Sequence, residues 1–138
     1  MTLSIGTAVP TWNGGRSEPS VTRTAVVRAL HNGPVRLDGP MMHGAVVDPG
    51  PMACVEIEGT LVCLSSAKTQ MLDRGLYAAL GVESANMKII VNKSAVHFRA
   101  DFASIASHIL VARAAGQMAA DPADFGWTKL DPNVSARC

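Results

Sequence analysis

Eight consecutive residues, Asn92-Lys93-Ser94-Ala95-Val96-His97-Phe98-Arg99, put an amide, an amine, a hydroxyl, an imidazole and a guanidinium into one stretch. They follow a β-branched run and open an apolar stripe at helical spacing, so they read as a loop between a strand end and a helix. The first turn of a helix has free N–H groups and a partial positive charge, which together favour an anion. Lys93, His97 and Arg99 would add charge and donors there. A second polar loop, Ser65-Ser66-Ala67-Lys68-Thr69-Gln70, offers hydroxyls, an amine and an amide after another strand candidate. Ligands of open α/β sheets bind beyond the carboxyl ends of strands. On adjacent parallel strands the two loops would share one edge and could hold a carboxylate or a peptide group between them. The competing reading is plainer: Ser94 only caps its helix, Lys93 is solvated, and His97 bonds a backbone carbonyl.

Other chemistry is thinly represented. The chain has no H-E-x-x-H, no phosphate-binding G-x-x-x-x-G-K, no G-x-G-x-x-G after a strand and no G-x-S-x-G. Its histidines, at positions 31, 43, 97 and 108, have no close ligand spacing. Zinc wants three or four well-placed ligands, so no metal ligand and no catalytic residue is assigned from this chain. His31 sits in a turn beside Asn32-Gly33-Pro34, His43 in a loop, and His108 at a strand start. Met41 and Met42 read as pliable packing.

The elements that would position the two loops divide near Ser65. Before it, residues 2–6, 22–30, 45–48 and 52–64 are strand candidates separated by Gly, Pro, Asn and Asp clusters. After it, Asp73 can cap a short helix through Leu76, Tyr77 and Leu80, stopped by Gly81. Residues 88–92 (K-I-I-V-N) read as a buried strand, being continuous and β-branched. Ser94 caps the next helix, whose stripe is Val96, Phe98, Phe102, Ile105 and Ala106. Residues 108–112 return as a strand. The expectation is an α+β fold: an antiparallel β portion, then a βαβαβ portion with a short parallel sheet and right-handed crossovers. Residues 1–138 make one domain, with 1–21 an N-terminal strand and loop and 116–138 an irregular C-terminal arm.

Composition narrows the partners. With 138 residues and a hydrophobic share of 48%, the chain can bury a sizeable core, and wholesale disorder is excluded. Twelve basic residues against eleven acidic ones leave a formal +1 and no basic stripe, which argues against nucleic acid. No run approaches the length of a membrane helix, and the N-terminus lacks signal-peptide character, so the expected compartment is the cytoplasm. Cys54, Cys63 and Cys138 are not a secreted framework or a zinc ribbon. A two-residue turn at Glu58-Gly59 would nevertheless set Cys54 opposite Cys63, within disulfide reach. Two reduced thiols in a cytosolic sheet remain the ordinary alternative.

Three stretches resemble a known family. V-N-K-S-A-V-H-F-R-A-D-F, from Val91 on, is similar to the K-S-x-x-H-F-R-A-x-F segment of the microcystinase C metallopeptidases. S-A-K-T-Q-M-L-D, from Ser66 on, is similar to their S-R-R-x-Q-x-x-D, with Ala67 and Lys68 in place of two arginines. Gly39-Pro40-Met41 with Gly44, Asp48, Gly50 and Ala53 matches their G-P-M-x-x-G-x-x-x-D-x-G-x-x-A. The resemblance runs from about residue 22 to 115 and is to the C-terminal domain of that family. It implies zinc-dependent hydrolysis of linear peptides, opened microcystin-type cyanotoxins included, with the metal site in a separate N-terminal domain. It also implies that this chain alone binds no zinc and is inactive. Ser66, Lys68, Gln70, Lys93, Ser94, His97 and Arg99 would then be substrate-binding or interface residues. Lys93 and Arg99 would neutralise a substrate carboxylate, and His97 would donate a hydrogen bond near the reacting carbonyl. The implied partners are an N-terminal metallopeptidase domain or subunit and a peptide substrate, with a homo-oligomer left open. The alternative is a free-standing, non-catalytic module that binds a small anion or a partner protein.

Overall fold

The computed structural model describes residues 1–11, 13–18, 20–112, 121–131 and 133–134. They form two compact units. The first comprises Met1–Thr2 and Thr24–Ile109, the second Leu3–Arg23 and residues from Leu110 on.

The first unit is organised by a hairpin. Strands β6 (Met52–Ile57) and β7 (Thr60–Ser65) pair antiparallel, with β3 (Val26–His31) on the other side of β6. Glu58 and Gly59 join them with φ of 50° and 79°, the two left-handed conformations that match the twist of a two-residue hairpin. Each pair therefore falls as the sequence implied, and Cys54 faces Cys63. Along β3 the register slips between Val27 and Ala29. Arg28 sits in that irregularity and reaches Glu56 at 2.6 Å. A short pair, β4 (Val35–Arg36) with β5 (Val46–Val47), carries the Gly39-Pro40-Met41 loop between its strands.

Alternation along β6 turns Met52 and Cys54 to one face. There they join Val35, Leu37, Leu72, Leu76, Leu80 and Val82 in the core. Leu76 comes from α1 (Gly75–Ala78), a single turn. Gly81 ends it at φ 71°, with Val82 N–H bonding Tyr77 O and Gly81 N–H bonding Ala78 O. That is a Schellman stop. Asp73, one residue before the N-cap Arg74, accepts from Gly75 N at 2.7 Å and from Gly39 N at 2.7 Å. One buried carboxylate thus ties the Gly39 loop to the start of α1.

The expected parallel sheet is not found among the described residues. All three strands containing 26–31, 52–57 and 60–65 are antiparallel, and residues 88–92 and 108–112 are irregular rather than strands. Ile89 is 82% and Val91 84% exposed. A β-branched run says that a segment suits a ladder, not that a partner strand lies beside it. The second expected helix shrinks to α2 (Arg99–Phe102), so Ser94 caps nothing. Ser104 Oγ donates to Asp101 O at 3.0 Å, competing for a carbonyl that a longer helix would use. Ile105 N–H bonds Phe102 O instead.

In the second unit, β1 (Thr2–Ile5) and β2 (Val21–Thr24) form a two-stranded sheet. Trp127 Nε1 donates to Pro122 O at 2.7 Å, and its ring lies 5.3 Å from that of Phe125. Residues 116–120, 132 and 135–138 of the expected arm, Cys138 included, lie outside the described residues.

Candidate functional site

Two segments of the first unit are cross-linked, two of the links falling at an offset of 27 positions. The Gln70 amide and His97 Nδ1 lie 2.6 Å apart. Four residues on, Asp101 accepts from Arg74 N at 2.7 Å and from Arg74 Nε at 3.0 Å. Tyr77 then meets Phe102 edge to face with centroids 6.0 Å apart, and its hydroxyl donates to Asn92 Oδ1 at 2.9 Å. Stretches 70–77 and 92–102 therefore run side by side. One residue of each polar loop, Gln70 and His97, meets the other, held there by an ion pair, a ring contact and hydrogen bonds rather than by parallel strands.

Next to this seam is an open cleft of about 370 Å³. Leu37, Val47, Leu72 and Leu76 supply its apolar wall, while Asp48, Lys68, Thr69 and Gln70 supply its polar groups. With the Gln70 nitrogen as donor, His97 Nδ1 accepts, and a neutral ring carries its proton on Nε2. The cleft offers an ammonium, a hydroxyl, an amide and a carboxylate around an apolar slot, with the His97 imidazole reaching it only through Gln70, the composition of a small-ligand site.

The other expected residues are dispersed. Ser66 lies under the Asp48-Pro49-Gly50 turn: its N–H bonds Pro51 O at 3.1 Å, and a Cβ on Gly50 would collide with its hydroxyl. Its role is to close that turn. Lys93 is exposed and has no hydrogen bond or ion pair among the described residues. Ser94 Oγ is buried without a partner. Arg99 places its guanidinium 5.6 Å from the centre of its neighbour's ring, Phe98. Lys68 and Gln70 line one cleft, and Gln70 in turn meets His97.

Sequence reasoning passed over Asp48 and Thr69 on the cleft, and the roles of Asp101 and Tyr77. Asp48 was legible as a turn residue, since D-P-G lets its carboxylate receive Gly50 N–H, here at 2.9 Å. Tyr77 is the sole tyrosine of the chain. Its phenol is raised above its ordinary value by burial and, secondarily, by the Cys63 thiol's charge when ionised.

Among the described residues, no group of three His, Cys, Asp or Glu side chains could hold a metal ion. The buried Asp73 and Asp101 carboxylates already accept N–H donors on both oxygens. This donor set does not fit zinc, which takes three or four converging ligands.

A family model described as MlrC C-terminus matches residues 1–129. The chain belongs to that family. The sequence motifs that carry the resemblance are the ones that build the site: Gly39 and Asp73 tie loop to helix, and the K-S-A-V-H-F-R run brings His97 to Gln70. Among solved structures, this MlrC C-terminal chain is similar to a protein from Mesorhizobium sp. BNC1 described as a candidate metallopeptidase. The TM-score is 0.69 at 28% sequence identity, over 94% of this chain and 26% of that one. It thus spans about a quarter of that protein's length. No curated protein matches. No helix among the described residues is long and apolar enough to cross a membrane.

Proposed function

We propose that this chain supplies substrate-binding and domain-interface groups to a metallopeptidase whose metal centre lies in an N-terminal domain. The observation that carries the reading is the Gln70–His97 pair, whose Gln70 member lines the cleft. It fixes the imidazole with Nε2–H available to donate to a peptide carbonyl, while Lys68 offers its ammonium to a carboxylate in the same cleft. Lys93 and Arg99, exposed on the neighbouring stretch, add positive charge along the approach. Zinc as the metal and linear peptides as substrates belong to this proposal through the family resemblance.

The interface role rests on the apolar side chains at 89 and 91, which are more than four-fifths exposed. Large exposed apolar patches mark interaction sites. Their strand-like sequence suits pairing with a strand of the rest of such an enzyme.

The test joins this chain to a metal-bearing N-terminal domain, as a fusion or as separate polypeptides, and follows hydrolysis of linear peptides. His97→Ala and Gln70→Ala should each lower kcat/KM roughly tenfold or more, the loss expected for a hydrogen bond at the reacting centre, while melting stays within a few degrees. Unchanged turnover in both variants would refute the substrate role. An N-terminal domain equally active without this chain would instead favour the free-standing binding module.

A further inference from the structure

Cys54 and Cys63 occupy a position with its own chemistry. In a two-residue hairpin the pair that closes the turn, here Ile57 and Thr60, is hydrogen-bonded, and the pairs beyond it alternate. Glu56 with Leu61 is then open, Val55 with Val62 bonded, and Cys54 with Cys63 open again. Opposed residues at open positions have Cα atoms about 4.5 Å apart, which a disulfide tolerates. The two side chains face each other across the strands on the core side of the hairpin. Their accessibility differs. Cys54 is 1% exposed, whereas Cys63 is half-buried and lines a separate small cavity of about 50 Å³ beside Met52 and Met71.

We propose that Cys54 and Cys63 form a dithiol that a low-molecular-weight disulfide, such as oxidised glutathione, converts to an intramolecular cross-strand disulfide. The accessible Cys63 acts first: its thiolate attacks one sulfur of the oxidant, forming a mixed disulfide and releasing one small thiolate, which takes up the proton Cys63 gave up. The Cys54 thiolate then attacks Cys63 Sγ. The Cys54–Cys63 bond forms, the mixed disulfide breaks, and the second small thiolate leaves and is protonated. Two protein thiols lose two electrons, and one small disulfide is reduced to two thiols.

The pair rests in its reduced form. Burial, with Cys54 on β6 next to it, pushes the Cys63 thiol up to about 12. Tyr77 on α1 is the other titratable group coupled to it. Attack requires thiolate, so oxidation is slow at neutral pH and gains nearly tenfold per unit as pH rises.

The experiment exposes the unaltered chain to excess oxidised glutathione at pH 8.5, blocks free thiols with a maleimide under denaturing conditions, and maps the products. Cleavage at Glu56 or Glu58 without reduction separates the two cysteines unless they are joined. The expected product is a monomer in which the peptides carrying Cys54 and Cys63 are joined and together lighter by two hydrogens, Cys138 carries maleimide or glutathione, and a reductant restores both thiols. In Cys54→Ser, glutathione should remain on Cys63. Linkage of either cysteine to Cys138, dimers joined through them, glutathione persisting on Cys63 in the unaltered chain, or both cysteines still taking maleimide would each overturn the proposal.

Discussion

Replacing Asp73 by alanine should be the most damaging single change to the frame of the cleft. Asp73 is 2% exposed, and its two oxygens each accept a backbone N–H at 2.7 Å, from Gly39 and Gly75. A hydrogen bond to a charged group contributes about 1.5–3 kcal/mol. Losing two also strands two amide donors where water reaches them poorly, so the expected cost is roughly 3–5 kcal/mol. That is a large share of the ~5–15 kcal/mol by which domains are stable. Asp73→Asn keeps one acceptor oxygen but turns an amide donor toward the other N–H, which sets its cost near half of that.

Urea denaturation followed by circular dichroism reads these numbers directly. With a slope of about 1–3 kcal/mol per molar urea, alanine should lower the midpoint by about 1–5 M, and asparagine should fall between alanine and the parent. Gly39→Ala should act in the same direction, because its new Cβ would stand 2.7 Å from Asp73 Oδ2 and 3.0 Å from Asp101 Oδ2. Midpoints of Asp73→Ala and the parent within about 0.3 M of each other, a difference too small to represent two charged hydrogen bonds, would refute the reasoning.

Three further changes test other parts of the structure. Glu58→Asn should raise stability by up to about 1 kcal/mol, since asparagine tolerates the left-handed φ of a type I′ turn better than glutamate; thermal melts check it. Val91→Asp, which a buried strand could not accept, should leave the melting temperature of this chain within a few degrees because Val91 is 84% exposed, and should weaken assembly with a metal-bearing domain in a binding assay. On the alkaline side, stability should fall between about pH 9 and pH 12. Below pH 9 the Cys63 thiol is protonated in both states, and above it the unfolded chain ionises at 9.0 while the folded chain holds its proton up to about 12. Cys63→Ala should flatten that fall in a pH series of urea midpoints.

The hairpin was legible because its information is local. A Glu-Gly turn and two apolar runs fix which residues face each other, down to the Cys54–Cys63 pair, and no distant residue is needed. The Gly81 stop is equally local. Residues 88–92 were misread for the opposite reason: Ile89, Ile90 and Val91 state a preference for a ladder, and the partner strand is not encoded in the same run. The site edge falls between these cases. Sequence spacing marked Gln70 and His97 as members of two polar loops, but they meet through the seam made by Arg74 with Asp101 and Tyr77 with Phe102. None of those pairings has a periodic signature, so the right neighbours were reached through a parallel sheet that does not exist.

The seam also explains why fold and site should separate experimentally. Gln70 and His97 are exposed, and exposed side-chain hydrogen bonds contribute little to stability, about 0.5–1.5 kcal/mol at most. Asp101, 5% exposed, and Phe102, 3% exposed, lie a turn further on in the same stretch. The burial gradient along 97–102 therefore runs from a pair that stability barely constrains to a pair that holds 92–102 against 70–77. A residue placed at the loose end of such a gradient, with its partner chosen 27 positions away, is positioned by the core without contributing much to it. That is the condition under which a side chain can be tuned for a substrate at little cost to the fold. It makes His97, more than Lys93 or Arg99, the residue on which the substrate role stands or falls.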